Sequence, residues 1–389
     1  MLNPGQRTGM KLGFLTVVSV VGLSLSVNSP ARAAGLPETT KAQLRDMKLD
    51  ESIMAGLDQE LVMPQAWFEG VKKEPPVQLL GTWSPEEWKV LSQSFRARYP
   101  SVKIEYVRSS RDNRQVQVLL AYKQGRYVAD VITSFSSVYK DLRNANGLVD
   151  LRELPNFFTG IPESYDPDGR WAPERMTYWC IAYNTDMVKK ADLPGSWDDI
   201  LTNPRWRNGN FAVSNTPAGW LTALYQVNGA QWTRNFITRL FVDVKPQRRN
   251  EGRDASVALT AAGEQAAVAP SGDYRVREFA KSGAPVSFHC PSIVPMAATQ
   301  IGILRGSPAA NGAKIFLDWF LSKEGQIGLR ASVGAVSAHK DFQRREFLNY
   351  PEQVLDPTKR IAVDNLDITV LDEVQKLWTL GWNNELPGQ

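Results

Sequence analysis

The sequence predicts an α/β protein with mainly parallel sheets and helices on both faces. Two observations carry this. A strand–helix–strand–helix–strand pattern fits within about 60 residues after residue 77, and a second α/β pattern begins after Tyr183-Asn184. The composition agrees: of 389 residues, 43% are hydrophobic and 22% charged, well above the apolar content of disordered chains. The length suits two to three domains, or one large two-lobed unit.

Val77 to Leu80 reads as the first strand, and Gly81-Thr82-Trp83 as a loop. Ser84-Pro85-Glu86-Glu87 is a strong helix start, with serine at the N-cap, proline at the first helical position and glutamate placed for a capping box. Trp88, Leu91 and Phe95 recur at helical spacing, and Tyr99-Pro100 ends the helix. Lys103 to Val107 is the second strand, Ser110 to Gln124 the second helix and Ala129 to Thr133 the third strand. Ligands in parallel sheets sit beyond the carboxyl ends of the strands, so the loops at 81–84, 108–114 and 134–137 are candidate site loops. In the second pattern Phe211 to Ser214 is a strand, Asn215-Thr216-Pro217 opens a helix running to about Asn228-Gly229, 257–263 is helical and 266–269 a strand. Residues 34–76 are polar and read as an N-terminal arm.

The first 33 residues read as a secretory signal. Arg7 and Lys11 precede a mainly apolar stretch from Leu12 to Val27, then helix breakers, then the small-x-small pattern Ala31-Arg32-Ala33 before Ala34. An uncleaved anchor is the alternative, but the run is short for a span. The first cysteine is Cys180, far beyond the leader, which excludes lipoprotein processing. The formal charge of +4 falls to +1 without Arg7, Lys11 and Arg32, so basicity gives no footprint for a nucleic-acid partner. Two cysteines and two histidines are too few for structural zinc, haem or iron–sulfur chemistry. An oxidising compartment permits Cys180 and Cys290 to pair; two buried free thiols are the alternative.

Several segments together resemble the periplasmic solute-binding proteins of ABC importers, in the group that includes ferric-ion binders. The most specific is Ile303-Leu304-Arg305-Gly306-Ser307-Pro308 followed by the 313–326 segment ending Leu321-Ser322-Lys323-Glu324-Gly325-Gln326. Ala129-Asp130-Val131, Tyr183-Asn184-Thr185 and Trp197-Asp198-Asp199-Ile200-Leu201 match further blocks, and the likeness spans roughly 77–340. It implies a type II periplasmic binding fold: two lobes, each a mainly parallel sheet flanked by helices, joined by hinge strands around a ligand cleft. Lobe 1 would comprise 77–180 and 291–389, its last helices free to pack on lobe 2, and lobe 2 residues 181–290. The crossings would fall near 178–183 and 286–292, where a Cys180–Cys290 bond would tie the hinge strands. The resemblance also implies a monomer that hands a small molecule to an inner-membrane permease, with no cofactor.

Candidate ligand contacts follow from residue chemistry. The helix after Thr216 has Pro217, Ala218 and Gly219 in its first turn and no acid, leaving its positive end open to an anion, with Asn215 beside it. A plain strand-to-helix connection is the alternative. Arg111 and Arg114 from the first lobe and Arg253, Arg275 and Arg277 from the second are candidate anion forks, each alone equally readable as a surface charge. Trp83, Trp179, Trp220 and Tyr274 are candidate stacking residues, with core packing as the alternative; Ser134 and Ser136 could donate hydrogen bonds. Together these favour a phosphate ester, phosphonate or carboxylate. Ferric ion is the family alternative, yet Ser271-Gly272-Asp273-Tyr274-Arg275 has one tyrosine beside a cation where iron binders carry adjacent tyrosines. An extracytoplasmic enzyme or a sensor-associated binder are the remaining classes; neither a nucleophile elbow nor a phosphate loop is present.

Overall fold

A computed structural model describes residues 35–108, 113–344, 356–362 and 368–388. The predicted signal lies outside the described residues, as does Arg111; the side chain of Arg114 is likewise not described.

The first lobe begins as read from the sequence. β1 (Val77–Gly81), β2 (Ile104–Arg108) and β3 (Val131–Thr133) pair in parallel, in the order β2-β1-β3. The helix Pro85–Arg98 starts on the expected capping box, in which Ser84 accepts from Glu87 N–H and Glu87 accepts from Ser84 N–H at 2.6 Å. The helix Asn113–Lys123 follows β2, and the helix Ser136–Asn144, termed α6 by its place in the chain, follows β3.

The organising element is β4 (Ala172–Asn184). Its first half pairs antiparallel with β9 (Val294–Ile303), which in turn pairs antiparallel with β3. Its second half pairs antiparallel with β7 (Ala267–Gly272) and β8 (Val286–His289), and β7 lies parallel to β5 (Phe211–Ser214), itself parallel to β6 (Gln247–Arg249). One strand therefore belongs to both sheets. Directions follow from the pairing: β1, β2 and β3 run with β4 and end toward the second lobe, while β5, β6 and β7 run against it and end toward the first. The carboxyl edges of the two sheets face each other.

Cys180 on β4 and Cys290, just beyond β8, are joined by a disulfide, with their Cα atoms 4.7 Å apart. The bond sits in an apolar cluster with Tyr178, Met296 and Phe342.

The segment before residue 77 is folded onto lobe 1, where the sequence suggested only an arm. The helix Glu38–Asp46 places Thr40 Oγ1 2.9 Å from Glu324 Oε1, and Leu44, Met54 and Leu57 join the cluster under β4. Its polar look reflects helices whose single apolar stripe is buried against another element. At the other end of the chain, the helix Ile368–Trp382 packs Val374 and Trp378 into the core of lobe 2, and Glu373 accepts from Tyr225 and Arg234.

The helices Ala310–Leu321 and Lys323–Val333 (α12 in chain order) carry the segment quoted above. Ser322 caps α12 and accepts from Gly325 N–H. Glu324, fully buried, accepts from Arg98 Nε at 2.6 Å and from Trp319 Nε1 at 2.8 Å. Gly325 lies so close to residues 319 and 320 that an added Cβ would be 2.4 Å from Trp319 O. Gln326 donates to Glu174 O at 3.2 Å and accepts from Ser337 and Ala338.

Replacing both Cys180 and Cys290 with alanine opens a loop of 110 residues and should lower stability by about 2–4 kcal/mol, read as a lower melting temperature; an unchanged Tm would contradict it. Asp318 is buried and bonded to Asn156, and burial lifts its carboxyl from the ordinary 3.8 to about 7. Between those pH values the folded chain holds a proton that the unfolded chain has released, so stability falls as pH rises through the window. Asp318→Asn should remove that slope and raise Tm at pH 8 relative to the parent; a parallel pH profile would refute the assignment.

Candidate ligand cleft

The facing carboxyl edges define a cleft whose floor is β4. The face of β4 carrying Met176, Tyr178 and Cys180 is packed into the core. By alternation, Arg175, Thr177 and Trp179 share the opposite face. Two of them meet lobe 2: Arg253 at the start of the helix Arg253–Ala261 lies over the Trp179 ring, 4.5 Å from its centroid, and Thr177 sits beside Gly272 and Tyr274.

From lobe 1, β3 is followed by Ser134, which adopts φ +54°, an unfavourable region for a residue with a Cβ. The conformation is held on both sides, by Ser134 N–H donating to Gln300 O at 2.8 Å and by Gln115 Nε2 donating to Ser134 O. The turn opens α6 with Ser136 and Ser137 exposed in its first turn and no acid there. From lobe 2, β5 ends at exposed Asn215 and Thr216, and the helix Ala218–Arg239 begins without a side-chain cap or a first-turn acid. Its regular course breaks at Gly229, near the predicted end. Gly219 is half-buried at that start. Thus Ser134, Ser136, Asn215, Thr216, Gly219, Arg253 and Tyr274 all lie on or beside the two facing edges.

Others are placed differently. The Trp83 ring is only 1% exposed and packs in the lobe 1 core, stacked on Trp88 at 5.9 Å. Its position right after β1 turns it under the sheet instead of across the cleft. Trp220 is likewise enclosed, against Trp197 and Trp378. Arg275 bonds Asp254 at 3.1 Å and Glu278, while Tyr274 donates to Asp254 at 2.9 Å. These acids lie three residues along the helix or one helix away. Arg277 pairs with Asp273 and donates to Gly334 O of lobe 1 at 3.0 Å.

Sequence reasoning missed Glu174 and Arg175. Glu174 occupies an irregularity in the β4–β9 register, where Pro173 pairs with Gln300 and Arg175 with Thr299. Its carboxyl is fully buried and accepts from Arg175 Nη1 at 2.7 Å. Burial pushes that carboxyl upward, opposed by Arg175, Trp83 and Thr133. An isolated Glu-Arg dipeptide in a strand carries no signal of this in sequence.

Both histidines serve structure. His289 bonds Pro194 O at 2.6 Å, and burial pushes its ring below the ordinary histidine range. His339 accepts from Asp341 N–H through Nδ1 and so donates from Nε2 to Glu60 at 3.1 Å. Glu60, His339 and Asp341 form a metal-like trio, but Lys323 Nζ stands 2.8 Å from Asp341 and 3.8 Å from Glu60 and already supplies the balancing charge.

Residues 82–327 match the sequence profile of the family described as bacterial extracellular solute-binding protein. The chain belongs to that family. Its members are the substrate-binding proteins of transporters. The fold is similar to iron-bound HitA from Pseudomonas aeruginosa, with a TM-score of 0.63 and 19% identity over 80% of this chain and 100% of that one. It is also similar to the GacH receptor of Streptomyces glaucescens, at 0.65 and 13% over 80% and 94%. A third is AfuA from Actinobacillus pleuropneumoniae with exogenous fructose-6-phosphate bound, at 0.58 and 19% over 80% and 98%. No curated protein matches the sequence itself. These likenesses bear out the two-lobed type II fold. Among the described residues no helix is long and apolar enough to cross a membrane.

Proposed function

We propose that this chain is the periplasmic binding component of an ABC importer, taking one small oxyanionic solute between its lobes and passing it unchanged to a permease. The observation that carries the reading is the opposition of two carboxyl edges across β4, each with a helix start that holds no first-turn acid. Backbone N–H groups and the positive dipole ends at α6 and at Ala218–Arg239 favour a carboxylate, phosphonate or phosphate ester. Lobe closure is a population shift whose extent equals the solute's preference for the closed form. The occupied histidines support binding over catalysis. The single tyrosine at the second-lobe edge, donating to Asp254, suits an organic anion better than a ferric ion, which needs hard anionic donors.

A thermal-shift panel of citrate, succinate, inorganic phosphate and glucose 6-phosphate, with ferric chloride and glucose as contrasts, tests this. A specific oxyanion at 100 times its Kd should add about 2.7 kcal/mol of stability. A shift with ferric ion alone, or conversion of the bound compound, would overturn the proposal.

A further inference from the structure

Arg175 is bonded differently from Arg275 and Arg277. Arg275 and Arg277 have their terminal nitrogens on carboxylates and a carbonyl. Arg175 meets one protein group, the Glu174 carboxylate, through Nη1. Its Nε and Nη2 have no hydrogen-bond partner among the described residues, and its side chain is 21% exposed. Nε and Nη2 form one edge of the guanidinium plane, two parallel N–H donors at the spacing of two oxygens of a carboxylate or phosphate.

The local backbone explains the aim. Regular alternation would send Glu174 and Arg175 to opposite faces, beyond each other's reach across the sheet. The register irregularity adds one residue to β4 at this point, and such bulges redirect side chains. Gln326 of α12 holds the bulge by donating to Glu174 O, and the same glutamine grips Ser337, whose strand β10 (Val336–Ser337) pairs with Arg175. The buried Trp83 and Thr133 side chains also favour the charged form of the Glu174 carboxylate that holds Arg175. The carboxylate is fully buried while the arginine reaches the cleft floor in line with Thr177 and Trp179.

We propose that Arg175 is the oxyanion receptor on the cleft floor, binding the solute through its Nε–Nη2 edge, with Glu174 as its positioning residue. This rests on the solute-capture reading and names the group within it that takes the charge. It also orients the solute along the floor: the anionic end meets the lobe 1 half of β4, and the remainder extends toward Trp179 and Tyr274.

The test uses the disulfide-intact protein and isothermal titration with succinate, citrate, inorganic phosphate and glycerol 3-phosphate. Arg175→Lys keeps the charge and a partner for Glu174 but removes the two-donor edge. It should weaken the best-binding oxyanion at least tenfold while the unliganded Tm stays near that of the parent, and Arg175→Met should weaken it further. The carboxylate and phosphate arms identify which oxyanion the edge takes. Glu174→Gln should weaken binding in the parent and have little added effect in the Arg175→Lys background, whereas a merely structural role would act equally in both. Unchanged affinity in both arginine variants overturns the assignment and leaves solute capture standing. Absence of binding to any small molecule overturns both readings.

Discussion

A single strand shared by two sheets is the constraint on which this molecule depends. Because β4 pairs with β9 in one half and with β7 and β8 in the other, the direction of every strand in both lobes is set relative to it. Parallel order within each lobe then brings two carboxyl edges face to face. The cleft is thus a consequence of hydrogen-bond polarity, before any side chain is considered. The Cys180–Cys290 bond fastens the crossing at the point where β4 leaves one sheet for the other.

The most recognisable stretch of the sequence works from beneath. Glu324 is a buried acceptor for Arg98, Thr40 and Trp319, tying the helix Glu38–Asp46, the helix after β1 and α12 into one network. A buried charge with one partner missing is costly, so such a network fixes an arrangement more than it adds stability. Gln326 extends it to the backbone of Glu174. Binding and scaffold therefore meet at one bulge: the residues that identify the family hold the piece of β4 that points into the cleft.

Much of the fold was legible in the sequence because it is local. The Ser84 capping box, the alternation of short apolar runs with helices and the Gly229 break are each decided within a few residues. What was not legible depends on partners distant in sequence. Trp83 looked available for a ligand because nothing nearby says that Tyr106 and Phe320 enclose it. Arg275 looked like a free cation because Asp254, a helix away, is invisible as its neighbour. Residues 35–76 looked detached because their polar faces dominate the composition while Leu44 and Leu57 are few. Glu174 and Arg175 escaped notice for the converse reason, since a bulge is a mismatch between two strands and leaves no trace in either alone.

The account stands on one claim, that the protein grips a small molecule between its lobes and releases it unaltered. Native mass spectrometry of the chain after incubation with a mixed pool of small organic acids and phosphate esters addresses it most directly. The account predicts a single adduct per chain, in one-to-one ratio, which leaves on denaturation with the mass of the compound supplied. Scattered adducts without fixed stoichiometry, or a released compound of altered mass, would contradict it.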